Sequence, residues 1–110
     1  MSAIIQTNTI PYRTSGNRVY AGEVVRCKNL IGVCAMDANY ESEARVFVTG
    51  VFNVPKDDSN ISYGDYVYYN ESKCECTLDK AGNVYMGLAV QDADSDDDTV
   101  MVLINYPKCN

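Results

Sequence analysis

Histidine and tryptophan are both missing from this chain of 110 residues. Histidine changes charge near neutral pH and is the commonest metal ligand, so its absence removes the usual general base and the usual anchor of a zinc site. Serines and threonines are plentiful, yet without histidine a nucleophilic one needs a lysine or aspartate partner, and no motif supplies it. The sequence therefore predicts a protein that is not an enzyme, with no catalytic residue, no cofactor and no metal. Positive charge is scarce as well. Nine Lys and Arg stand against fifteen Asp and Glu, a net charge of -6, and the pI is near 4.4. The basic residues are scattered, whereas a phosphate backbone needs them clustered, so no direct nucleic-acid contact is expected.

Long apolar runs are also missing. None approaches the roughly eighteen consecutive residues of a membrane span, so no membrane partner is expected. The opening stretch, MSAIIQTNTIPYR, has neither a basic n-region nor a long apolar h-region, which predicts no secretory signal and residence in a cytoplasm. Five cysteines are an odd number. Without export they predict free thiols that behave as small apolar side chains rather than a closed disulfide framework.

What the chain does have is period-two patterning. In residues 44–56, ARVFVTGVFNVPK, the side chains of Val46, Val48, Phe52 and Val54 fall on one face, as in a strand. The other face carries Arg45, Phe47, Thr49, Val51 and Asn53. Both sides are partly apolar, which predicts one central strand of about ten residues with Val46, Val48, Phe52 and Val54 in the core. Gly50 interrupts that face and suits a bend, a bulge or a close backbone approach, and Pro55 ends the ladder by removing a donor.

The chain is long enough for one core. Residues 2–12 read as an extended arm or a first strand, with Ile4, Ile5 and Ile10 among polar residues and Pro11 opposing helix. Turn signals at residues 13–17 and at Ala21-Gly22 lead to short strands at 23–27 and 30–36. Polar connections at 37–43 and 57–62 flank the central strand. An aromatic strand follows at 66–70, with Tyr66 and Tyr68 on one side and Val67 and Tyr69 on the other. After a fragment ending at Leu78 and a hairpin or loop at 80–83 come strands at 84–90 and 99–105. The last, TVMVLIN, is nearly continuous in apolar side chains and is predicted to be buried on both faces. No segment shows a helical period. The expectation is an all-β single domain, a small β-sandwich or partly open barrel of about seven or eight short strands over residues 13–110, preceded by an N-terminal arm at residues 1–12.

Three constellations invite chemistry. Asp92, Asp94, Asp96, Asp97 and Asp98 offer oxygens to calcium, but in a helix-loop-helix register the required glycine falls on Asp97 and the bidentate glutamate on Leu103. A solvated hairpin loop is the simpler reading. Cys74 and Cys76 make half of a tetrahedral shell that Cys27, Cys34 or Cys109 would have to complete, so they are read as strand positions. Tyr63, Tyr66, Tyr68 and Tyr69 lie close together, but base stacking needs cationic neighbours and these have Asp65 and Glu71. Core and subunit-contact roles are predicted for them.

The order AGEVVRC, LIGVCAMDA, VFVTGVFNVPK, ISYGDYVYYN, GLAVQDADSDDDTVMVLIN resembles the capsid decoration, or cement, proteins of tailed bacteriophages known as the DUF2190 family. The matching elements are Ala21-Gly22 and the segments 32–35, 50–55, 64–68, 87–89 and 99–103, with Val54 before Pro55 as one departure and the cysteine content as another. The resemblance implies a homotrimer bound at local threefold positions on the outside of an icosahedral head, assembled in the host bacterial cytoplasm and retained in the virion. The implied partner is the major capsid protein, which the decoration stabilises. On such a head the apolar arm, through Ile4, Ile5, Ile10 and Tyr12, is expected to order across a neighbouring subunit. From a different class, the alternative is a β-sandwich module that binds a small ligand or carbohydrate.

Overall fold

A computed structural model of the chain describes residues 9–107. Among these it contains nine strands and no helix: β1 (Thr9–Arg13), β2 (Val24–Cys27), β3 (Leu30–Cys34), β4 (Glu43–Phe47), β5 (Val51–Pro55), β6 (Tyr66–Asn70), β7 (Glu75–Thr77), β8 (Val84–Ala89) and β9 (Thr99–Ile104). They form a four-stranded sheet, β1-β4-β3-β2, and a five-stranded sheet, β5-β9-β8-β6-β7, with every strand pair antiparallel.

The expected ten-residue central strand is two strands in two different sheets, and Gly50 is the reason. Its φ of 120° lies where side-chain-bearing residues are strained, so the chain turns there at little cost. β4 ends the run in the smaller sheet and β5 resumes it in the larger one. Val46 and Val54 are fully buried, while Val48 and Phe52 are half-buried beside the corner. Phe47 and Phe52 are neighbours across that corner, with ring centroids 5.6 Å apart. β5 is also an edge strand of its sheet rather than a central one.

That edge is closed, however. Lys56 and Cys76 form a parallel bridge, and the Asp57 N–H donates to the Cys76 carbonyl at 3.0 Å, so the five-stranded sheet curls until its two edges meet as a small barrel. Closure removes the exposed edge that an open sheet presents. Val54, Val67, Tyr69, Cys76, Met86, Val100, Val102 and Ile104 fill the interior. Each fully buried aliphatic side chain among them contributes about 1.5–3 kcal/mol. A register shift between Val67 and Tyr68 gives β8 an extra residue, and Met86 thereby joins the interior although it neighbours Gly87. At Gly87 the backbones of β8 and β9 approach so closely that a Cβ would lie 2.2 Å from the Leu103 carbonyl oxygen.

The smaller sheet packs one face on the barrel, where Ile31 and Val33 of β3 join the common core. Asn105, just past β9, fastens the two units. Its side-chain amide donates to the Ile31 carbonyl at 2.7 Å and the Val48 carbonyl at 2.8 Å, and its Oδ1 accepts from the Ile31 N–H at 3.0 Å. β5 starts and β9 ends at this junction. Their other ends, Pro55 and Thr99, meet the loops of residues 57–65 and 90–98, and Pro55 also lines a cleft with Gly22, Glu23 and Val24 at the start of β2.

In the segment read as an arm or a first strand, β1 pairs with β4 from Thr9 opposite Phe47 to Arg13 opposite Glu43. Ile10 and Tyr12 are half-buried there. Ile4 and Ile5 lie outside the described residues.

Candidate interaction surfaces

The acidic end is built by its own carboxylates. Asp92 accepts from the Tyr63 N–H at 2.7 Å, Asp65 from Ser62 at 2.8 Å, Asp97 from Asp94 at 3.0 Å and Asp94 from Asp96 at 3.1 Å. Short acidic side chains at such positions satisfy backbone donors that a turn leaves over. Beneath them Lys56, only 7% exposed, points its ammonium at backbone carbonyls of Asp57 (2.7 Å), Asp94 (2.7 Å) and Asp97 (3.3 Å). The run at residues 92–98 thus folds around a buried lysine. Among the described residues, no three Cys, Asp or Glu side chains converge as metal ligands would.

Beside this loop is an open cleft of about 570 Å³, lined by Asp57, Asp58, Glu75, Asp79, Asp97 and Asp98 together with Lys56 and Lys73. Burial works to raise the Asp57 carboxyl. Hydrogen bonds from Ser59 and Thr77, and the nearby Lys56 charge, outweigh it and hold the group below the ordinary carboxylate value.

Cys74 and Cys76 do not form a pair. Cys74 is exposed on the β6–β7 turn at φ 56°, while Cys76 sits inside the barrel, where burial pushes its thiol up to about 12. Burial likewise pushes Cys34, in the smaller sheet, to about 11. These three thiols are free, as is Cys27, whereas Cys109 lies outside the described residues.

The tyrosines divide by strand parity. Tyr69 points into the barrel core and Tyr63 is 71% exposed. Tyr66, half-buried, and Tyr68, buried, point to the other side of β6, each meeting Tyr85 edge-on at 6.0 and 5.8 Å between centroids. The Tyr85 hydroxyl donates to the Tyr106 carbonyl at 2.5 Å. On that side of the barrel wall Tyr66 faces Leu88, Leu88 faces Leu103 and Leu103 faces Val51, which makes one apolar row across four strands. β9 is therefore not buried on both faces. Val100, Val102 and Ile104 are buried, while Met101 and Leu103 stay partly open on the wall. The unbroken apolar run of this strand was the sequence signal for that second face, but cross-strand register was needed to see what it joins.

The third surface is β1, an outer strand of the smaller sheet among the described residues. Ile10 stands opposite Val46 and Tyr12 opposite Ala44, so the two half-buried side chains cover the fully buried centre of β4. Desolvation first, then the Cys27 and Cys34 thiols and the Glu71 carboxylate, raise the Tyr12 hydroxyl above its ordinary value.

Comparison with known families finds one whose description is phage cement protein, matched by residues 4–104. No curated protein and no solved structure matches the chain significantly.

Proposed function

The chain belongs to the phage cement protein family, and from that premise we propose that it decorates the outer surface of a tailed-phage head. As a cement protein it is a component of the virion capsid. In this reading it binds the major capsid protein from outside, as a homotrimer at local threefold positions, and holds neighbouring capsid subunits together against internal pressure. Many copies with modest individual contacts suffice for that, because the lattice multiplies them. Assembly takes place in the host cytoplasm, and no reaction is required of any residue.

The observation that carries the reading is the extent of the family match, which takes in both sheets and reaches back to Ile4. The head contact is assigned to the N-terminal segment. Ile10 and Tyr12 anchor it in β1, and Ile4 and Ile5 add apolar surface to the capsid subunit it crosses. An electron cryomicroscopy map of heads mixed with the purified protein tests this. Density for the barrel on the outer surface, around local threefold axes, is the expected result. Density inside the shell, or none on a head that displays its other proteins, refutes it.

A further inference from the structure

The two sheets divide the chain at one point. β1 to β4 all precede Gly50 and β5 to β9 all follow it, so the described chain crosses between the sheets once, at a glycine of φ 120°. A single crossing at a residue without a side chain has the makings of a hinge. Among the described residues, polar links across it come from three places. The Ile104 N–H donates to the Gly50 carbonyl at 3.1 Å, at the crossing itself. Asn105 makes its three bonds to Ile31 and Val48. Arg26 and Glu71 pair at 3.2 Å, but both are exposed, and an exposed pair holds little.

The two sides of the hinge are unequal. The barrel closes its own edges through Lys56 and Cys76, and of the common buried core only Ile31 and Val33 come from before Gly50. The smaller sheet keeps a separate buried set, Cys34, Ala44 and Val46. Taking the sheet away uncovers one side of a barrel that is still closed and filled. Taking the barrel away strips Ile31 and Val33 of their cover and leaves the sheet with three compact side chains. Size points the same way, since a stretch of about sixty residues can hold a core unaided and one of about forty rarely does.

We infer that residues 9–49 come away from the barrel and unfold as one unit, with Gly50 as the hinge and Asn105 as the latch, while residues 51–107 stay folded. Cooperative units of this kind coincide with supersecondary blocks and open below the free energy of global unfolding. β1 lies in the unit that opens, so the strand that leads to the N-terminal segment rides on the movable part and the barrel is the fixed one. The opening is a property of the chain alone and needs no head.

Hydrogen exchange of the full chain, followed in rising urea below its unfolding midpoint, tests this. Amides of β3 and β4 should exchange through a common opening about tenfold or more populated than the one that releases β8 and β9. Two variants separate the units. Ile61→Val trims the barrel core and should speed β8 and β9 about tenfold, leaving β3 and β4 unchanged, because the barrel stays folded when the sheet opens. Asn105→Gly weakens only the closed form and should speed both sets alike, on the order of a hundredfold for three lost hydrogen bonds. If Asn105→Gly does not fold, the wild type and Ile61→Val decide. One opening free energy shared by both sets, β8 and β9 released first, or an Ile61→Val effect that is equal everywhere overturns the inference. A folded Asn105→Gly variant with unchanged exchange in β3 and β4 overturns the latch.

Discussion

Replacing Asn105 by alanine is the sharpest test of how the two sheets are held together. The change deletes three hydrogen bonds, to the Ile31 N–H, the Ile31 carbonyl and the Val48 carbonyl. Ile31 is fully buried, so water cannot readily replace the lost partners. At about 1 kcal/mol each the three bonds account for about 3 kcal/mol. Asn105 also has φ 58°, a left-handed conformation that costs alanine about 1 kcal/mol more than a residue suited to it. The total, about 4 kcal/mol, is a large share of the 5–15 kcal/mol that usually holds a domain folded. Asn105→Gly isolates the backbone part, because glycine accepts the conformation but makes no side-chain bond, and should lose about 3 kcal/mol. Asn105→Asp keeps an acceptor for the Ile31 N–H but turns an oxygen toward two carbonyls. It should be destabilised at neutral pH and recover partly in acid. Urea unfolding gives the free energies, and hydrogen exchange at the Ile31 amide reports the local loss. An alanine variant within about 1 kcal/mol of wild type would refute the reasoning and leave the joining of the sheets to apolar packing and the exposed Arg26–Glu71 ion pair.

The other perturbations are simpler. Gly87→Ala puts a Cβ 2.2 Å from the Leu103 oxygen and must push β8 and β9 apart, so it should cost at least the 1–3 kcal/mol or so of an overpacked core; an unchanged melting temperature refutes the close approach. In a Cys109→Ser background, a thiol reagent should modify exposed Cys74 first and Cys27 more slowly, with buried Cys34 and Cys76 reacting only on unfolding. Rapid labelling of Cys76 in the folded protein would show that the barrel is open. Asp57 titrates below the ordinary carboxylate value when folded, so its contribution is present above that value and disappears as pH falls through the lowered one. Wild type should therefore exceed Asp57→Asn in stability at neutral pH, with the gap closing in acid, and a gap that widens in acid contradicts the assignment.

Much of the β structure could be read from side-chain alternation alone. The strand at residues 66–70 and the short strands around it are marked by aromatic or β-branched residues at alternate positions between turn signals, and they occupy those places in the structure. The break at Gly50 was harder. A glycine inside an alternating run signals irregularity, but whether it bends one strand or moves the chain to another sheet depends on what packs around it. Phe47 and Phe52, meeting across the corner, decide that. Asn105 binds groups 57 and 74 residues earlier, which no local pattern announces. Lys56 was similarly opaque, because a lysine beside an acidic run suggests a surface ion pair, whereas it is buried against backbone carbonyls. The apolar wall exists only through register. Leu88, Leu103 and Val51 are remote in sequence, and pairing alone sets them in a row.

The central claim is that this chain is a capsid decoration protein, and the most direct measurement is co-sedimentation of the purified protein with undecorated heads of the phage that encodes it. The account predicts binding that saturates at a fixed number of copies per head, survives in physiological salt and weakens when residues 2–8 are deleted without a change in melting temperature. Folded protein that remains in the supernatant at every concentration, while the same heads accept their other surface proteins, would contradict it.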